Sequence, residues 1–167
     1  MELHQLFKIQ DILENKIKNY VDIDENALGK ENTFHLRFLA FQVKLGEIAN
    51  LTKCYKYSNG NKEIPKDKLI FRYIDGMKFL LSIGNTHNFN IIDDSALILM
   101  MEELHPITLF SFIYDDIAAL RHAIQIGNYV DALSIYIRLF SRYISLGKAF
   151  GLTFEEVYNH YISNYSS

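Results

Sequence analysis

Apolar side chains return every three or four positions along most of this chain, and that period predicts helices. Leu3, Leu6, Phe7, Ile9, Leu13 and Ile17 make a first amphipathic helix from Glu2 to about Tyr20, with Gln10 on its stripe. Val21 to Asn32, acidic and polar around Gly29, reads as a connecting loop. A second helix covers about Thr33 to Lys56, with Leu36, Ala40, Val43, Glu47 and Leu51 on one stripe that should be buried. Ser58 to Lys62 is a breaker cluster, and Pro65 suits the start of a third helix, Lys66 to Ile83, capped by Gly84 in the left-handed region. Its stripe is Phe71, Asp75, Phe79 and Ser82.

A polar loop, Asn85 to Asn90, leads to a crowded apolar stretch, Ile91 to Leu104, for which a short helix is expected. Pro106 keeps His105 out of the helical region. Helices then cover about Thr108 to Ile126, Tyr129 to Ala149 and Phe154 to Ser163. Gly127-Asn128 and Gly151 punctuate them, and Thr153 with Glu156 forms a capping box. Ser166-Ser167 reads as a frayed end. The expectation is an all-α fold, a bundle of five to six helices in a single domain over 1–167.

Two of these stripes carry acids. An ionised carboxylate in an apolar contact is tolerated only when a cation or several donors meet it. Glu47 has Lys44 beside it, and Asp75 is flanked by Arg72 and Lys78 at spacings that keep all three on one side. A metal ion could neutralise the two acids, and so could the three bases.

Composition narrows the partners. With 49% hydrophobic residues the chain supports one sizeable core, and a net charge of -3 argues against general nucleic-acid binding. No apolar run is long enough to span a membrane. A single cysteine, Cys54, and no basic leader point to a cytoplasmic protein. The six histidines show no metal spacing, and Asp115-Asp116 and Glu102-Glu103 read as solvated faces.

The order of residues resembles a known family. Gln10, then Val43 to Asn50, then Cys54-Tyr55-Lys56-Tyr57, then Tyr73 to Gly84, and finally Leu146 to Glu156 are similar to the all-α dimeric dUTPases of the MazG-like nucleoside triphosphate pyrophosphatases. The resemblance implies a homodimer that cleaves dUTP to dUMP and pyrophosphate with magnesium held by a Glu-x-x-Glu and a Glu-x-x-Asp pair. It also implies that Gln10, Asn50 and Lys56 lie on the nucleotide. Here Lys44 and Arg72 stand where the first acid of each pair belongs, and only Glu47 and Asp75 remain as metal ligands. Lys78 replaces a common histidine, Ser58 a tryptophan, and the family's Lys-Asn…Asn…Arg-Gln tail segment has no counterpart.

Charge decides what this implies. Four carboxylates supply about four negative charges to divalent ions, whereas Lys44, Glu47, Arg72 and Asp75 sum to about zero. Arg72 is expected to meet Glu47, and Lys44 to meet Asp75, leaving no cofactor. The expected function is then a catalytically disabled, dUTPase-like binder, gripping a nucleotide or nucleotide-derived small molecule through Gln10, Lys44, Asn50, Lys56, Arg72 and Lys78, or docking a protein partner. A phage-encoded role against host defence or regulation suits such a protein. The alternative is an active, magnesium-dependent dUTP diphosphatase.

Overall fold

A computed structural model describes residues 2–21, 25–56 and 63–165, and among these the secondary structure is helical with no strand. In chain order the helices are α1 (Leu3–Val21), α2 (Glu25–Leu28), α3 (Lys30–Thr52), α4 (Lys66–Thr86), α5 (Asp94–Leu99), α6 (Pro106–Gln125), α7 (Tyr129–Ala149) and α8 (Phe154–Tyr165). The all-α expectation holds. The Ser58–Lys62 breaker cluster and the Ser166-Ser167 end lie outside the described residues.

Local chemistry accounts for most boundaries. Asp93 accepts a hydrogen bond from the Ala96 N–H at 3.1 Å and starts α5. Asn128 caps α7 through Asp131 N, and His105 Nδ1 accepts from Ile107 N ahead of Pro106. In the capping box, Thr153 N donates to Glu156 at 3.0 Å and Glu156 N donates to Thr153 Oγ1 at 3.1 Å.

Three expectations about boundaries are corrected. The polar stretch ahead of Asn32 holds α2, and α3 already begins at Lys30. At its other end α3 stops at Thr52, because Lys53 adopts a left-handed backbone (φ 51°) and closes the helix onto Ala49 O. Lys56 therefore lies beyond the helix. Gly84 is not a cap: α4 runs on to Thr86, and a side chain at Gly84 would collide with Tyr136 and Phe7.

Packing follows two helical hairpin-like pairs, α3 on α4 and α6 on α7, with α1 laid on α4 and α8. The pairs meet at Tyr73 and Tyr143, whose rings stack at 4.4 Å with 4° between their planes. Each hydroxyl donates to the other's backbone carbonyl, Tyr73 to Tyr143 O at 2.8 Å and Tyr143 to Tyr73 O. Gly147 makes room for this, since a Cβ there would stand 2.7 Å from the Tyr73 ring.

The burial of α3 overturns its expected orientation. Its core face is Phe38, Phe41, Leu45, Ile48 and Thr52, while Leu36 and Val43 of the expected buried stripe are each 50% exposed. Apolar residues surround this helix on nearly every side, so its period gave no sharp direction. Asp116 is likewise no solvated residue. It is 2% exposed and receives Arg138 Nη2 and Arg142 Nη1, each at 2.7 Å, which tie α6 to α7.

Candidate functional site

Along the outer seam of α3 and α4 the charged residues form one alternating row. Arg72 Nη1 lies 3.2 Å from Glu47, Glu47 lies 3.3 Å from Lys44 Nζ, Lys44 lies 3.8 Å from Asp75, and Asp75 lies 3.1 Å from Lys78 Nζ. The helices run antiparallel here, so numbers fall on α4 as they rise on α3. Glu47 and Asp75 share the ammonium of Lys44 between them. These five side chains, three cations and two acids, carry a net charge of +1.

Sequence dictates this arrangement locally, because Lys44 and Glu47 are three apart on α3 while Arg72, Asp75 and Lys78 are three apart on α4. None of the five is fully buried. Arg72 is the most open, with 44% of its side chain exposed, and Asp75 the least, with 17%. Beneath Asp75 lies the Tyr143 hydroxyl, pushed well above its ordinary range by burial, by Tyr73 and by the Asp75 charge. Gly76 allows this approach, since a side chain there would strike the Tyr143 hydroxyl. At the Arg72 end a hollow of about 510 Å³ opens, lined by Leu51, Asp67, Lys68, Phe71 and Arg72.

Other residues singled out from the sequence lie apart from the row. Gln10 is buried, with its Nε2 donating to Glu14 at 3.0 Å and its Oε1 accepting from the Tyr161 hydroxyl at 2.6 Å. Asn50 is exposed and accepts from the Tyr55 hydroxyl at 3.3 Å. Lys56 sits in the turn after α3, its backbone N–H bonded to Lys53 O. Arg37, which the sequence did not single out, lies on the same seam two turns along, where its Nε donates to Ser82 Oγ of the expected α4 stripe at 2.8 Å. The signal was there in the spacing, since Arg37 is seven residues before Lys44 and Ser82 seven after Asp75.

Magnesium takes several oxygen ligands at short range and keeps its waters reluctantly displaced. Among the described residues no three His, Cys, Asp or Glu side chains gather as such a set. Glu47 and Asp75 are two carboxylates each already met by an ammonium or guanidinium, a donor set that does not fit the ion.

An all-helical domain with a charged seam between two antiparallel helices is the class of protein this defines. The family model described as dUTPase matches residues 2–166, nearly the whole chain, and the chain belongs to that family. No curated protein and no solved structure matches it. Among the described residues no helix is long and apolar enough to cross a membrane.

Proposed function

We propose that this member of the dUTPase family binds a nucleotide and holds it without cleaving it. The observation that carries the reading is the alternating row, which sets Lys44, Arg72 and Lys78 around the two acids Glu47 and Asp75. Phosphate oxygens compete for those cations, and the planar fork of Arg72 suits two of them at once. Hydrolysis in turn lacks the cluster of acids that would hold divalent ions against the charge growing on the phosphates. The family resemblance gives Gln10 of α1 the base end, and the hollow beside Arg72 has the volume of a small-molecule site. Asn50 and Lys56, exposed and off the row, are peripheral contacts in this reading.

The bound form is a homodimer. Leu36, Leu39 and Val43 on α3 and Phe71 on α4 are each 50% exposed or more beside the seam, and a second copy of this surface would cover them.

Calorimetry with dUTP and dUMP, with and without magnesium, tests the reading. Binding in the micromolar range that magnesium leaves unchanged, with no pyrophosphate released, is the expected result. The double change Lys44→Glu and Arg72→Glu restores four acids and should make the melting temperature rise on adding magnesium, as the parent's does not. Family membership favours a second reading, a working dUTP diphosphatase. Sustained pyrophosphate release by the unmodified protein would establish it.

A further inference from the structure

A second hollow, of about 510 Å³, opens where α5 ends against α7, and its size suits a small-molecule ligand. Ile98, Met101 and Leu104 give it an apolar wall, and Ser145 and Lys148 of α7 line it about one helical turn apart. The two serines of α7 differ in a telling way. Ser141 shares its hydroxyl proton between Leu97 O at 2.9 Å and Ile137 O at 2.8 Å, which stitches α5 to α7. One turn on, α5 has stopped at Leu99, and among the described residues the Ser145 hydroxyl has no hydrogen-bond partner although the residue is only 7% exposed. A buried hydroxyl left unmet costs stability, so its place on a hollow asks what else meets it. The rim carries charge of both signs. Among the described residues the one polar contact of Lys148 Nζ is the Met101 sulfur, a weak acceptor, at 4.0 Å. Glu102 and Glu103 line the same hollow, are exposed, and like Lys148 form no ion pair among the described residues.

We propose that this hollow binds a free α-amino acid with a large apolar side chain. The site shares no residue with the charged row and does not depend on the nucleotide reading. Chemistry at the rim selects the class. A carboxylate on an apolar body meets Lys148 and the Ser145 hydroxyl, but it faces Glu102 and Glu103 with nothing to offer them. An apolar amine meets the two acids and is opposed by Lys148. A molecule with both charges answers both: its carboxylate goes to Lys148 and Ser145 on α7, its ammonium to the acids of the link between α5 and α6. Its side chain then lies along Ile98, Met101 and Leu104, where the pliant thioether of Met101 adjusts to its shape. Polyphosphates are turned away, since Lys148, Glu102 and Glu103 together carry a charge of -1.

The test is calorimetry on the full chain with phenylalanine, with 3-phenylpropionate, which lacks the ammonium, and with phenethylamine, which lacks the carboxylate. Phenylalanine should bind at least about tenfold more tightly than either, the difference that one charge-assisted hydrogen bond makes. Lys148→Met should erase its advantage over phenethylamine, and the double change Glu102→Gln and Glu103→Gln its advantage over 3-phenylpropionate. Ser145→Ala gives a readout that a structural hydroxyl would not. It should weaken phenylalanine binding about tenfold yet leave the melting temperature of the unliganded protein equal or higher, because the hydroxyl it removes is unmet among the described residues. A melting temperature lowered by Ser145→Ala, an analogue that binds as tightly as phenylalanine, or an advantage that survives either charge change overturns the proposal. So does a parent protein that binds none of the three, whatever it does with dUTP.

Discussion

At the scale of the residue, Asp116 shows how far environment can depart from composition. Its carboxylate is buried between two guanidiniums, and removing it leaves two cations facing each other in a site built for three groups. Asp116→Asn should cost about 3 kcal/mol, measured as a loss of denaturation free energy, with the partial exposure of Arg138 keeping it at the low end for a buried pair. His87 is one group that makes stability depend on pH. Burial, and next the Arg37 charge, hold its pKa below 6.5, so the fold favours the neutral ring. Its contribution is complete above the unfolded value of 6.5 and is lost as pH falls through the lowered folded value. Replacing it with Phe, which suits the surrounding Phe34, Phe38 and Phe89, should flatten the melting temperature against pH in that acid window.

Between elements, the contact that matters most for the seam is the Tyr73–Tyr143 stack joining α4 to α7. It sets the floor under Asp75 and depends on glycines that allow aromatic rings to reach helix backbone. Gly147→Ala drives a methyl into the Tyr73 ring and should destabilise by about 1–3 kcal/mol. Tyr143→Phe removes only the hydrogen bond to Tyr73 O and should cost about 1 kcal/mol. Chemical denaturation of the two variants would separate packing from hydrogen bonding, since overpacking at Gly147 should cost more than the lost hydroxyl. Along the seam itself, each ion pair is partly exposed and contributes little, about 1 kcal/mol or less. The row therefore serves charge placement more than stability.

For the whole molecule, the consequence lies in the apolar residues left outside. A chain that leaves Leu36, Leu39 and Val43 of α3 and Phe71 of α4 half exposed or more has a surface suited to a partner of the same kind. Leu39→Asp should convert the proposed dimer to monomer in analytical ultracentrifugation with little change in helix content by circular dichroism. Because Leu39 lies on α3 with Lys44 and Glu47, the same change should weaken nucleotide binding if the second copy covers the seam.

Helix positions were written into the chain, because spacing of apolar residues, proline and capping side chains act within a few residues of themselves. The Tyr129–Ala149 helix and the Thr153–Glu156 box were legible for that reason. So were the pairings of Arg72 with Glu47 and Lys44 with Asp75, since charge and three-residue spacing restrict the ways two neighbouring helices can satisfy each other. Tertiary packing alone decided which side of α3 faces inward, why Gly84 is small, and that Asp116 is enclosed. It also decided that Gln10 meets Tyr161, a residue 151 positions away. Those outcomes depend on which elements come to lie together, and no local period of residues carries that information.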